Sequence, residues 1–178
     1  MKQWLGPLAA ALLAGYAGWA GGLALSTFGL MEAAVRRIAG ESGVNVMRYG
    51  DLPTPENQPI VRPSPDLVYS SCAYDLSDGP ILLSVTPVPG RYSSLSIFDA
   101  RTDVIFVRND LQAKGKPYRL YLAREDQKVP AGAEVVRVNY DRGIALIRVL
   151  LNTRDEFKAL EPIRRQSTCA PMAAGAAI

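Results

Sequence analysis

The sequence contains no histidine. That one absence removes whole mechanism classes. A Ser-His-Asp or Cys-His constellation needs an imidazole to carry the proton. Histidine-ligated zinc and c-type haem attachment are excluded in the same way. Only two cysteines are present, so a four-thiolate metal site cannot be built within one chain. The charges are 20 basic against 17 acidic, a net of +3 over 178 residues, with no run of five or six of one sign. A nucleic-acid footprint normally clusters its Lys and Arg, so no nucleic-acid partner is expected. Arginine outnumbers lysine 15 to 5. Arginine forms bidentate carboxylate pairs more readily than lysine, although genome composition explains such a bias equally well. Carboxylate chemistry remains open, either as a carboxylate-only metal site or as a paired-carboxylate hydrolase. The length suits one domain plus an appendage.

What the chain does have begins with 28 uncharged residues, Trp4 to Met31. A membrane-spanning helix needs about 20 predominantly apolar residues. A secretory h-region is typically only about 7–15. The run therefore reads as an uncleaved signal anchor, with Lys2 as its basic flank. Small residues near Ala20, Ala24 and Ser26 keep cleavage by a signal peptidase open as the alternative. Ala10, Ala14, Gly18 and Gly22 form a small-residue row that would let a second transmembrane helix approach, yet Ala and Gly fill so much of the segment that such a row is expected by chance. Flanking positive charge is nearly even, so orientation rests on the short N-terminal tail. The expectation is an inner (cytoplasmic) membrane protein of single pass, amino terminus in the cytoplasm and body in the periplasm. Met31, Ala34, Val35 and Ile38 continue an apolar face at spacings of three and four, which predicts that the helix runs past the membrane surface and stops near Gly40.

The division expected is an anchor over 1–40, a Pro/Gly-rich lead-in over 41–65, a β domain with a closing helix over 66–168 and a flexible tail over 169–178. The lead-in holds helix breakers at Gly43, Gly50, Pro53, Pro55, Pro59, Pro63 and Pro65, with short edge strands at Val44–Tyr49 and Ile60-Val61. Strands are predicted at Leu67–Tyr74, Ile81–Val85, Tyr92–Phe98, Val104–Val107, Tyr118–Ala123, Glu134–Asn139 and Ile144–Leu151. Asp75 to Pro80, Thr86 to Gly90, Asp99 to Asp103 and Asp141-Arg142-Gly143 supply the turns. Short strands punctuated by Gly and Pro point to a mainly β fold, an antiparallel sandwich or barrel. One C-terminal helix is capped by Asn152 or Thr153, buries Phe157, Leu160 and Ile163, and is kinked or shortened by Pro162.

The segments Arg62-Pro63-Ser64-Pro65-Asp66-Leu67-Val68-Tyr69-Ser70-Ser71, Asp75-Leu76-Ser77-Asp78-Gly79-Pro80 and Gly90-Arg91-Tyr92-Ser93-Ser94-Leu95-Ser96-Ile97-Phe98-Asp99 together resemble the domain-of-unknown-function 1254 family. The resemblance is to its short, membrane-anchored bacterial members and covers Asn45 to Gln166. Ser64 stands where Asn is usual, and Leu67-Val68 where Thr-Leu is usual. Any hydrogen bonds made by that Asn and Thr are weakened or lost here. The resemblance implies a jelly-roll-like β domain. It also implies pairing with a domain-of-unknown-function 1214 companion protein, and no established reaction.

On a strand, Tyr69, Ser71 and Ala73 share one face, and Ser70, Cys72 and Tyr74 the other. Small residues on both faces suggest close packing against a neighbouring sheet. The functional reading gathers Arg62, Asp66, Tyr69, Arg91, Tyr92 and Asp99 into a polar pocket at one end of the sandwich, for a ligand or a partner. The structural reading makes the same charges strand caps and ion pairs, since buried charges must be paired. Asp75 and Asp78 read as turn residues before metal ligands. No residue is assigned a catalytic or metal-ligating role, and no cofactor is implied. In an oxidising periplasm Cys72 and Cys169 favour a disulfide, against two free thiols. The expected function is a binding or assembly module acting with a partner membrane protein. The alternative is a hydrolase using Asp66 with Asp99, which requires those carboxylates within several ångströms of each other.

Overall fold

The computed structural model describes residues 2–54 and 63–172. Arg62, the edge strand expected at Ile60-Val61 and the tail beyond Met172 lie outside the described residues.

After a 3-10 turn at Lys2–Trp4, helix α1 runs Leu5–Ala39 over 35 residues. It is long and apolar enough to cross a membrane. Trp4, Leu8, Leu12, Tyr16, Leu23 and Leu30 are all exposed, so this length presents apolar surface that no other described part of the chain covers. From Leu5 to Leu30 the rise is roughly 39 Å, against a hydrocarbon core of about 30 Å. The last turns behave differently. Met31, Val35 and Ala39, four apart, are buried against Ala73 and Ile144, with Phe98 and Leu146 beside them. Arg36 and Arg37 fall in the final turn, where cations complement the helix dipole. Gly40 ends the helix at φ +47, a conformation that favours glycine, and its N–H returns to the Arg36 carbonyl.

The rest is mainly β, and burial alternates along β strands such as Ile81–Val85, as it does where successive side chains face opposite sides. Strands β1 (Met47–Tyr49), β2 (Leu67–Asp75), β3 (Ile81–Val85), β4 (Ser93–Phe98), β5 (Val104–Asn109), β6 (Tyr118–Arg124), β7 (Val135–Val138), β8 (Arg142–Leu150) and β9 (Thr168–Pro171) form two sheets. One has five strands in the order β1-β2-β8-β4-β5, and the other four in the order β7-β6-β3-β9. Val68, Cys72, Tyr74, Leu95, Ile97 and Ile147 of the first sheet face Ile81, Leu83, Leu120 and Leu122 of the second across the core. A 3-10 turn at Arg154–Glu156 leads into helix α2, Phe157–Arg164. Its Phe157, Leu160 and Ile163 pack against the same core. Thr153 holds the cap position without a side-chain bond, and Pro162 lies inside the helix.

Three features depart from the sequence reading. The β6–β7 pair is parallel, because the connection between them crosses over rather than turning back as a hairpin. Residues 168–171, placed at the boundary of a flexible tail, form β9 and pair with β3 from Ile81↔Pro171 to Ser84↔Thr168. Gly143, read as part of a tight turn, lies within β8 opposite Tyr74.

The two faces of β2 serve different neighbours. Cys72 points into the core, where its sulfur is bonded to Cys169 of β9 and ties the two sheets together. Ala73 points outward and packs under α1. The small residues on β2 therefore admit a sheet on one side and a helix on the other.

Candidate functional site: an arginine-lined groove beside the helix

The described residues of the set proposed from sequence, Asp66, Tyr69, Arg91, Tyr92 and Asp99, are spread over both ends of the larger sheet, and Arg62 lies outside the described residues. Asp66 is exposed and precedes the Leu67↔Leu150 pair, and its carbonyl accepts the Leu151 N–H. The Tyr92 carbonyl accepts the Leu150 N–H at the same end of the sheet, and the Tyr92 ring is exposed. Arg91 is there too, but its guanidinium is engaged by Glu156, at 3.1 Å from Nε and 2.6 Å from Nη2. Asp99 lies at the other end, after the Phe98↔Ile144 pair. From Ile144 to Leu150 is six steps along β8, roughly 20 Å at about 3.3 Å each. Asp99 is also occupied: its Oδ1 accepts the N–H groups of Arg101 at 2.8 Å and Asp103 at 3.1 Å. A hydrolase pairing Asp66 with Asp99 is thereby corrected, because the two carboxylates stand at opposite ends of the sheet and one is spent on a turn. Asp75 is likewise committed, to the Ser77 N–H at 3.0 Å and to Arg142 Nε at 2.7 Å.

Of the five that lie among the described residues, Tyr69 lines a substantial cavity. On the outer face of the five-stranded sheet, past the end of α1, lies a groove of about 730 Å³. The reason it exists is local. α1 stops at Gly40 and covers only the Ala73 end of β2, so Ser71 and Tyr69 further down the strand are left without a helix above them. The chain then returns as β1 along the edge of β2, with Arg48 opposite Ser71. Arg37, Arg48 and Arg165 line the groove, from α1, β1 and the end of α2 respectively, and Ile38, Val46 and Leu146 give it an apolar wall.

The electrostatics are one-sided. Arg48 donates through Nη2 to the Ala39 carbonyl at the end of α1, while its Nε is buried with no acceptor. Arg165 pairs with Glu161 at 2.7 Å, but Glu161 also serves Arg164. No ion pair engages Arg37 among the described residues, and no described carboxylate lines the groove. Arg148 lies opposite Tyr69 on the same face. It donates to Ser96 Oγ at 2.9 Å, and its Nε too is buried without a partner.

Arg164 holds the site's floor in place. It is 2% exposed. Nη1 donates to the Tyr69 carbonyl at 2.8 Å and Nη2 to the Gly50 carbonyl at 3.0 Å. Its guanidinium also stacks over the rings of Tyr49 and Phe157. Tyr49 donates in turn to the Ser167 carbonyl at 2.6 Å, and burial pushes its phenol above the ordinary value. The groove therefore sits on a network joining α2, β1 and β2. Arg37, Arg48, Arg164 and Arg165 were not singled out from sequence. The doublets at Arg36-Arg37 and Arg164-Arg165 read as helix-end charges, and only the strand register brings them together.

The comparisons with known proteins follow this fold. The family model described as "Protein of unknown function (DUF1254)" matches residues 44–171. Among solved structures, the VPA0106 protein from Vibrio parahaemolyticus is similar at 21% identity and a TM-score of 0.55, over 61% of this chain and 28% of that one. An uncharacterized protein from Burkholderia cenocepacia is similar at 16% identity and a TM-score of 0.50, over 89% of this chain and 43% of that one. At such identities the likeness is one of fold. The chain spans less than half the length of either structure. No curated protein is matched.

Proposed function

From the premise that the chain belongs to the DUF1254 family, we propose that it is a membrane-tethered binding and assembly module, held at the cytoplasmic membrane by α1 with its β domain on the periplasmic side. The observation that carries this reading is the continuity of α1. One unbroken helix is exposed and apolar over its first part and packed on the sheet through Met31, Val35 and Ala39 over its last. Glu32 reinforces the junction, accepting from Arg142 at 2.9 Å, and Phe28 meets Tyr140 edge-on at 5.4 Å between ring centroids. A helix fixed to the sandwich in this way would orient the domain relative to the bilayer. The end bearing Asp66 and Tyr92 would point away from the membrane, the end bearing Asp99 toward it. The partner in this reading is a membrane protein, with a domain-of-unknown-function 1214 companion as the first expected.

The test is capture of the tagged full-length chain from membranes in mild detergent, combined with protease treatment of spheroplasts. The expected result is a membrane-bound chain whose β domain is cleaved from outside and which retains the companion protein. A chain in the soluble fraction, a β domain protected in intact spheroplasts, or recovery without any companion would overturn the reading.

A further inference from the structure

The groove has a chemistry that tethering does not use. Its guanidinium groups come from three separate elements, α1, β1 and the end of α2, and face a cavity with an apolar wall. Arg48 is the most telling. Its Nη2 is satisfied by the Ala39 carbonyl, but its Nε is desolvated and has no acceptor. A buried donor left unpaired is destabilising, and more so when it is charged. An anion in the groove would meet the guanidinium groups that line it, and charge-assisted bonds to a carboxylate or phosphate are the natural match for a guanidinium. The cations outnumber the nearby carboxylates, since Glu161 is shared between Arg164 and Arg165. The volume, about 730 Å³, is that of a small-molecule site. Ile38, Val46 and Leu146 line the same cavity and offer a surface for carbon.

We propose that this groove binds a small anionic amphiphile, its carboxylate or phosphate head held by Arg48 with Arg37 and Arg165, its apolar chain lying on Ile38, Val46 and Leu146. This goes beyond the tethering and assembly role, and the site stands or falls independently of any companion protein. Arg37 lies seven residues beyond Leu30, roughly 10 Å further along the helix. The head group is therefore held above the exposed apolar length of α1, and its source is either a lipid raised from the bilayer surface or a dissolved amphiphile.

The experiment uses the full chain in nanodiscs of zwitterionic phosphatidylcholine. The probe is a diazirine-bearing fatty carboxylate of roughly ten carbons, suited to a cavity of this size. Photolabelled peptides are mapped by mass spectrometry. Labelling is expected in the segments around Val46 and Leu146. It should be competed by decanoate and decyl phosphate but not by decanol or inorganic phosphate alone. Arg48→Gln and Arg165→Gln should each reduce labelling by about tenfold, the scale of one lost charge-assisted contact. Arg119→Gln, on the four-stranded sheet, should leave it unchanged. Arg48 also holds the Ala39 carbonyl, so its variant is checked by thermal melting. The exposed Arg165 carries the conclusion if Arg48→Gln unfolds. Adding phosphatidylglycerol to the nanodiscs separates the sources: displacement of the probe assigns the site to a bilayer lipid, and persistence to a dissolved amphiphile. Labelling confined to residues 5–30, equal competition by decanol, or labelling unchanged in both variants would overturn the proposal.

Discussion

Tyr74 reaches beneath β8 to donate from its phenol to the Phe98 carbonyl at 2.9 Å, so one side chain links three neighbouring strands of the larger sheet. It passes where Gly143 stands opposite it. A Cβ at 143 would overlap both the Phe98 carbonyl oxygen and the Tyr74 ring and phenol. The glycine is required for this close approach rather than for a turn. Gly143→Ala is therefore expected to destabilise the protein by roughly 1–3 kcal/mol, the usual range for overpacking a filled site. Thermal melting checks this. Tyr74→Phe, which removes the phenol oxygen, should make the alanine less costly, so the double variant should be more stable than the sum of the two losses. Little of this was legible in sequence. The Asp-Arg-Gly tripeptide carries the composition of a turn, and nothing local reveals that a tyrosine 69 positions earlier crosses it. Asp99 was read both ways, as a pocket residue and as a strand terminator, and its bonds to the Arg101 and Asp103 N–H groups are those of the terminator. The burial of Arg164 carried no local sign: Glu161 is its partner within the helix, but Gly50, Tyr69 and Ser70 are supplied by register.

Elements were more legible than contacts. Apolar stretches bounded by turn residues set β2, β3, β6 and β8 close to their observed limits. β9 was missed because Thr-Cys-Ala-Pro has no alternating apolar pattern. It is a strand because β3 offers it an edge. The parallel β7 was found as a strand, but its direction depends on a crossover that composition does not encode. That crossover has a consequence at the open side of the sandwich. Arg108 of β5 reaches across to Glu134, just before β7, donating through Nη1 at 2.9 Å while lying over the Tyr118 ring. The bond to Arg108 holds the Glu134 carboxyl below its ordinary value. A depressed carboxylate stabilises above its unfolded value, about 4.5, and loses that contribution as pH falls through the folded value. Glu134 is 42% exposed, so solvent screening limits the pair to below about 1 kcal/mol. Glu134→Gln is expected to lower the melting temperature slightly near neutral pH and to match the parent once the pH has fallen below the lowered folded value. Melting both proteins across that range tests it, and a difference that persists in acid would refute the assignment. Tyr118 works in the opposite direction. Burial pushes its phenol up to about 12, so it stabilises fully below about pH 10 and less as pH climbs toward that value.

At the scale of the whole molecule, two sheets enclose one core, the last turns of α1 pack on the outer face of the larger sheet, and a single covalent link crosses the core between the sheets. Cys72 belongs to β2, an inner strand of the five-stranded sheet, and Cys169 to the edge of the four-stranded one, at a sequence separation of 97. Everything from β3 to α2 lies inside that loop. The strand it secures is the chain's last described element, paired only with β3, so β9 is the place where the sandwich would begin to open. In the chain-entropy account, closing a loop of this length stabilises by about 4–5 kcal/mol. That is a large part of the 5–15 kcal/mol typical of a domain. Cys72→Ser and Cys169→Ser should each lower the unfolding free energy by about that amount, read as a lower denaturant midpoint. The double variant should cost no more than either single one, since the bond is lost once. Reductant should bring the parent to the same midpoint and leave it heavier by two hydrogens in an intact-mass measurement. A midpoint insensitive to reductant would show that the sheets hold together by packing alone, and that β9 stays on β3 through its backbone ladder without the sulfur bridge.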